Sequence, residues 1–338
     1  MGFGLCGFKS HPRHQVAPRI VVDVMGADRP PGELAAGAAQ AAAELPLDLV
    51  VVGDARQIEP HLPDLPNVSL LHCPLFVDPE EKPVEAARRT DTSLARGLAL
   101  LAQGQAEAFL SPGNTGAVVA TALLHLGRLP GVHRPALCAS LPTLKGKEVL
   151  LVDAGASADP KPPYLLQFAS MGAAYARVVL DVALPTVGLL NIGTEPHKGD
   201  TVTQQAHALL AQRPDFRGNV EPHNVLTERP VDVVVTGGFS GNLFLKALEG
   251  GVEAVTEALR RELHRSRRAR LGGWIARPAL RAVARGLGYR EHNAAPLLGV
   301  RGLVFVAHGR SDAPAVAGAV RRVFKVCQAD FLAQLPPF

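Results

Sequence analysis

An α/β fold built on a mainly parallel sheet is the architecture this sequence predicts, and three observations predict it. Apolar, β-rich runs alternate with Ala/Leu-rich segments along nearly the whole chain. Most of those runs are continuously apolar rather than alternating, the pattern of parallel strands covered on both faces. Several runs also end in glycine and polar residues, the composition of loops at the ligand-binding edge of such sheets.

In chain order the expected strands are "RIVVDVMG" (19–26), "LDLVVVGD" (47–54), "AEAFLSPG" (106–113), "KEVLLVDAG" (147–155), "TVGLLNIG" (186–193), "VDVVVTGG" (231–238) and "GLVFVAHG" (302–309). Segments such as "ELAAGAAQAAAEL" (33–45) and "SLARGLALLAQG" (93–104) suit the helices between them, and a further helix is expected from about Thr115. No internal repeat and no low-complexity linker divides the chain. Residues 1–18 read as a flexible N-terminal tail, 19–330 as one α/β domain and 331–338 as a C-terminal tail. The turns "SPGNTG", "DAGAS", "NIGTEPHKGD", "GGFSGN" and "AHGRSD" are expected to collect at one sheet edge as a single site.

Composition narrows the function. With 47% apolar and 20% charged residues in 338, the chain is globular rather than disordered. No apolar stretch reaches the roughly 20 residues of a spanning helix. Cys6, Cys73, Cys138 and Cys327 are far apart and form no CxxC pair, so neither zinc nor a disulfide framework is expected, in keeping with a cytoplasmic chain. The first residues are too short in their apolar part for a secretory signal, and Gly2 lacks the downstream Ser or Thr of a myristoylation site.

The turn Gly113-Asn114-Thr115-Gly116 joins an apolar run to a helix. Its glycines permit close backbone approach, and a helix N-terminus offers free N–H groups and partial positive charge to an anion. A plain strand–helix turn is the alternative, but "VVVTGGFSGN" repeats the design with Gly238, Ser240, Gly241 and Asn242, which favours a phosphate or carboxylate site. Neither GxxxxGK[ST] nor a GxGxxG after the first strand is present, which demotes ATP and NAD; no cofactor and no metal are expected. Asn191 and Lys198 follow another strand; Lys198 is either a solvated loop lysine or a phosphate ligand and proton donor. Asp153 and Lys161 end another, as an internal salt bridge or as ligand contacts. Asp23 and Gly26 end the first strand, and His308 follows a late one as a structural histidine or a site residue. Ser111 and Ser240 lack the G-x-S-x-G elbow, which rejects a serine hydrolase.

The net charge of +4 is uneven: ten arginines between Arg260 and Arg290 against Glu262 alone give +9 there and −5 elsewhere. Leu280, Val283 and Leu287 follow helical spacing, with Arg277, Arg281 and Arg285 on a neighbouring face. Trp274 and Ile275 sit beside Gly272–Gly273 and before Pro278, as at the tip of a helical hairpin over about 255–292. With Arg267, Arg268 and Arg270, this pattern fits a helix on an anionic membrane surface, or a solvated helix pair at a subunit contact. The scarcity of aromatic residues argues against nucleic acid.

From about Ile20 to Cys327 the chain resembles the PlsX family, the bacterial phosphate acyltransferases of phospholipid synthesis. The resemblance rests on "VVDVMGADRPP", "SPGNTGA", "GRLPGVHRPAL", "KPPYLLQFASMG", "VGLLNIGTEPHKGD", "DFRGNVEP", "GGFSGNLFLKALEG", "APLLGVRG" and "AHGRSDA" in that order. It implies a Rossmann-like, three-layer fold like that of isocitrate/isopropylmalate dehydrogenases and phosphotransacetylases, with a protruding helical tip. It also implies reversible acyl transfer from acyl-[acyl-carrier-protein] to inorganic phosphate. The implied homodimer has active sites near the subunit interface and is cytoplasmic, peripherally membrane-associated, and followed by a glycerol-3-phosphate acyltransferase. Lys198 and Asn114 then become the catalytic candidates, and Asp23, Gly26, Ser111, Gly113, Thr115, Gly116, Asp153, Lys161, Asn191, Gly238, Gly241, Asn242 and His308 the substrate-binding ones.

The chain departs from the family pattern at Ala27, at Asn293–Pro296, at Arg310, and at Gly237, where the family has Asp. Two other readings stand beside the acyltransferase: a phosphotransacetylase-like enzyme using acyl-CoA, and a non-catalytic paralogue that binds membrane or carrier protein.

Overall fold

The computed structural model describes residues 17–287 and 294–338. The first half of the chain forms β1 (Arg19–Asp23), α1 (Pro31–Glu44), β2 (Asp48–Gly53), α2 (Ala55–Ile58), β3 (Val68–His72), α3 (Pro83–Arg88), α4 (Ser93–Ala102), β4 (Ala108–Ser111) and α5 (Thr115–His125). Then come β5 (Ala136–Leu141), β6 (Val149–Val152), α6 (Pro162–Val179), β7 (Val187–Leu190), α7 (Thr201–Leu210), β8 (Phe216–Val220), α8 (Pro222–Thr227) and β9 (Val233–Val235). Two long helices follow, α9 (Gly238–His264) and α10 (Arg267–Leu287), before β10 (Ala295–Leu298), β11 (Leu303–Val306) and α11 (Ala313–Gln328).

Among the described residues, eleven strands share one sheet in the order β3-β2-β1-β4-β11-β10-β5-β6-β9-β7-β8. Because side chains alternate across a strand, each continuous apolar run feeds two cores. Ile20, Val22, Leu150 and Val152 point to the face covered by α1, α6, α7 and α11, whereas Val21, Leu151, Val234 and Val304 point to the face covered by α4, α5, α8 and α9. The three-layer α/β fold expected from the sequence is therefore present.

The sheet reverses direction at its centre. The pairings β11–β10, β10–β5 and β5–β6 are all antiparallel, and the remainder are parallel. Three successive reversals leave β6, β9, β7 and β8 running opposite to β1, β2, β3, β4 and β11. The carboxyl ends of the two groups thus lie on opposite edges of the sheet. This corrects the expectation that the five polar turns collect together: "SPGNTG" and "AHGRSD" close one edge, and "DAGAS", "GGFSGN" and "NIGTEPHKGD" the other. Strands stand ~4.8 Å apart, so β4 and β6, four steps from each other, are also separated laterally by about 19 Å.

Helix α9 bridges the edges. It starts beside the end of β6 and runs across one face until Glu249 and Glu253 reach the loop after β11. Beyond that point it leaves the body: no residue from Gly251 to Val283 is buried. The hairpin turn lies at Arg265–Ser266. Trp274 and Ile275 are therefore not at its tip, as the sequence suggested, but about two turns into α10. The pair Gly272–Gly273 is helical, and Gly273 lets the two helices approach: a Cβ there would stand 3.1 Å from Leu263 Cδ2. The C-terminal tail is fastened to the body, with Phe331 buried and its ring edge-on to Tyr175.

Candidate active site

The first edge is built from the exits of three adjacent strands, β1, β4 and β11. Asp23, at the end of β1, is 2% exposed. Its Oδ1 accepts the Met25 N–H at 3.1 Å and its Oδ2 accepts the Ser111 hydroxyl at 3.0 Å. Ser111 Oγ in turn accepts the Gly113 N–H at 3.1 Å. Burial pushes the Asp23 carboxyl up to about 6, because a charged carboxylate loses its water there. Both Asp23 and Ser111 thus lie beneath the turn rather than facing solvent. Gly26, with φ +72°, stands against the turn; a Cβ on it would be 4.0 Å from Gly113 Cα.

Asn114 caps α5, its Oδ1 accepting the Ala117 N–H at 3.1 Å while its Nδ2 donates to Pro79 O at 2.8 Å. One amide hydrogen is thus engaged by the fold; the second N–H of Nδ2 has no acceptor among the described residues. The N–H groups of Thr115 and Gly116, in the first turn of α5, have no acceptor among the described residues. A side chain at Gly116 would collide with Pro83 Cγ, 2.7 Å from the Cβ position, so glycine keeps this backbone accessible between α3 and α5. His308 is half-buried: its Nδ1 accepts the Arg310 N–H at 3.1 Å, and its Nε2 faces Glu249 Oε1 at 3.7 Å. Glu249 was not among the residues singled out from the sequence; its signal is the four-residue spacing to Glu253, which places both on one face of α9.

The second edge gathers the loops after β6, β9 and β7. Asp153 makes neither a salt bridge to Lys161 nor an open ligand contact. Its Oδ1 accepts the N–H groups of Leu137, Gly155 and Ala156 at 2.8, 3.0 and 2.8 Å, and its Oδ2 that of Ser157 at 2.7 Å. Burial raises its pKa against the opposing pull of those four bonds. The loop so folded receives α9: Gly238 donates its N–H to Ser157 O at 3.0 Å, and Gly241 lies against the Asp153 carbonyl too closely for any side chain. Asn242 is exposed beside Gly155. Asn191, 6% exposed, shapes its own loop by donating to Lys198 O at 3.0 Å and accepting from Ile192 N–H at 2.8 Å. Lys161 occupies the N-cap position of α6 and is exposed. The Lys198 side chain passes over Gly193 and meets no carboxylate among the described residues within ion-pair distance.

On the hairpin, Arg267, Arg268, Arg270, Arg277 and Arg281 are exposed, Leu280 is half-buried, and Trp274 and Ile275 are 70% and 66% exposed. Trp274, Arg277, Pro278 and Arg281 line a shallow depression of about 430 Å³. The side chain of Arg285 lies outside the described residues, as do residues 1–16, Cys6 among them. No group of His, Cys, Asp and Glu among the described residues is arranged to hold a metal, and no described helix is long and apolar enough to cross a membrane.

A family model described as "Fatty acid synthesis protein" matches residues 18–334. A phosphate acyltransferase of Synechococcus sp. (strain JA-2-3B'a(2-13)) is 42% identical over 321 residues, covering 94% of this chain and 86% of that protein. One from Heliobacterium modesticaldum is 41% identical over 324 residues, covering 94% and 96%. Among solved structures, a phosphotransacetylase from Streptococcus pyogenes superposes with TM-score 0.61 at 14% identity, covering 93% of this chain and 95% of that one. The EutD phosphotransacetylase of Staphylococcus aureus gives TM-score 0.57 at 16% identity, covering 93% and 94%. The structural likeness is one of fold; the sequence likeness carries the family, and the chain belongs to the fatty acid synthesis protein (PlsX) family of phosphate acyltransferases.

Proposed function

We propose that this enzyme transfers a long-chain acyl group, reversibly, from acyl-[acyl-carrier-protein] to inorganic phosphate, giving acyl phosphate for phospholipid synthesis. The observation that carries the reading is the pair of unclaimed N–H groups on Thr115 and Gly116, at a helix start beside the Thr115 hydroxyl. Those donors suit a tetrahedral oxyanion, and the helix dipole adds to them. A hydrogen phosphate dianion held there attacks the thioester carbonyl carbon. The new C–O bond forms, the C–S bond breaks, and the proton of hydrogen phosphate ends on the departing sulfur. No nucleophile of the protein is required; positioning and charge stabilisation supply the catalysis.

Lys198 is the proposed cation that offsets developing charge or delivers the proton to sulfur. It stands at the second edge, so within one chain it does not face the Thr115 turn. A homodimer in which the second edge of one copy meets the first edge of the other resolves this, and it is the arrangement we favour. Asn242, Lys161 and the first turn of α9 would enter the site the same way. The exposed arginines of α10 would receive the acidic carrier protein and an anionic membrane surface, making the enzyme peripheral to the membrane.

The donor is tested by competition. With phosphate present, equimolar palmitoyl-carrier protein and palmitoyl-CoA should give acyl phosphate predominantly from the carrier protein. Preference for CoA would instead support the phosphotransacetylase-like reading. Tight carrier binding with no acyl phosphate would support a scaffold.

A further inference from the structure

A buried carboxylate beneath an anion cradle is an unfavourable arrangement twice over. It loses hydration, and it repels the anion it underlies. Asp23 has both disadvantages, yet its two oxygens each tie a different strand exit, Oδ1 holding Met25 of the β1 exit and Oδ2 holding Ser111 at the end of β4, with the Ser93 hydroxyl of α4 also favouring its charged form. Since Ser111 must donate its single proton to the carboxylate, its lone pairs face the Gly113 N–H, which they accept at 3.1 Å. Ser111 O also accepts the Ala307 N–H at 2.9 Å, so the β11 exit is tied to the same residue. Gly26 and Gly113 meet directly above this junction, with Met25 O 3.7 Å from the Cβ position of Gly113.

We propose that Asp23 and Ser111 are positioning residues that set the gap between the β1 exit and the Gly113–Gly116 turn, and thereby the phosphate affinity of that turn. The polarity of the relay matters as much as its geometry. Asp23 makes Ser111 a donor, Ser111 takes the Gly113 N–H, and the turn then presents the N–H groups of Thr115 and Gly116 with the Thr115 hydroxyl as its donor set. An amide in place of the carboxylate offers one acceptor oxygen where two are used, and releases one strand exit. This inference rests on the phosphate reading given above.

The test compares the parent with Asp23→Asn, Ser111→Ala and Ser111→Thr, each checked for folding by its melting curve. Steady-state kinetics would separate the KM for phosphate from that for palmitoyl-carrier protein, and 31P NMR would follow inorganic phosphate binding without turnover. The expected result is a phosphate KM raised at least tenfold in Asp23→Asn and Ser111→Ala, a carrier-protein KM within twofold, and substantial recovery in Ser111→Thr. A merely structural role would lower kcat or stability without separating the two KM values. Phosphate KM within twofold of the parent in folded Ser111→Ala overturns the inference while leaving the phosphate reading intact. A parent with no saturable phosphate requirement and no phosphate binding by NMR overturns both.

Discussion

A Cβ built on Gly237 would stand 2.7 Å from Cγ of Pro160, so the loop after β6 and the start of α9 occupy each other's space. Gly237 is the N-cap of α9 with φ −75° and ψ 149°, a backbone conformation open to any residue. The obstacle to a side chain is therefore Pro160 alone. An aspartate there, as in the family pattern, would cap α9, which over glycine is worth only about 0.3 kcal/mol. Gly237→Asp by itself should nonetheless destabilise by roughly 1–3 kcal/mol in urea unfolding, because overpacking outweighs the cap. Adding Pro160→Ala should recover most of that loss, with a coupling of at least ~1 kcal/mol in the double-mutant cycle. Simple additivity would show that the two positions do not constrain each other.

Asp153 predicts a different phenotype from Asp23. Four backbone N–H groups converge on its carboxylate and hold the loop on which α9 begins. Asp153→Ala should cost roughly 3–5 kcal/mol of stability, since the buried donors lose their acceptor together. A folded Asp153→Asn enzyme should keep its phosphate KM within twofold, measured alongside its urea midpoint. A large KM change with unaltered stability would assign Asp153 to the ligand instead.

Burial lifts the Asp23 carboxyl from 3.8 to about 6, outweighing the hydrogen bonds that favour its charged form. The folded chain then binds this proton more tightly than the unfolded one. The stability it contributes is fully present below pH 3.8 and is lost as pH rises through about 6. Relative to Asp23→Asn, the parent should lose about 2 kcal/mol between pH 4 and pH 7 in urea unfolding. A difference that is flat in pH would contradict the buried, shifted carboxyl.

Much of the fold was legible because seven of the eleven strands are short, dense apolar runs punctuated by glycine. The four that were not, β3, β5, β8 and β10, lack that signature. β3 and β8 are the sheet's outermost strands, half exposed and mixed in polarity; β5 carries Ser140, and β10 is four residues long with Pro296. The omission of β5 and β10 had a consequence for the site. They make all three antiparallel pairings, so nothing in the other seven runs reveals that the sheet turns over and separates Lys198 from Thr115. Glycines were informative, because close approach at Gly116 and Gly241 demands them. Polar side chains were less so: Asp153 and Asn191 are spent on loop closure, which residue type alone does not distinguish from ligand binding.

The separation of the two edges makes a complementation prediction. Lys198→Ala and Gly116→Ala should each be inactive or nearly so when expressed alone. Co-expressed, they should recover up to about a quarter of parental activity, since half of randomly mixed dimers hold one intact composite site of two. No recovery, with mixed dimers verified by differential tags, would place Lys198 and the turn in separate roles.

The exposed Trp274 and Ile275 on α10 should contribute to lipid contact. Replacing both with alanine should weaken co-sedimentation with anionic liposomes severalfold and leave the melting temperature unchanged, since neither side chain is packed in the body. Unchanged co-sedimentation would reject lipid contact by these two residues.

The most direct test of the acyltransferase account is consumption of palmitoyl-carrier protein by the purified enzyme as inorganic phosphate is varied, with the product identified as acyl phosphate. The account predicts saturable phosphate dependence, one acyl phosphate formed per thioester consumed, and loss of turnover in folded Lys198→Ala. Thioester consumption that ignores phosphate, or a folded dimer that produces no acyl phosphate, would contradict it.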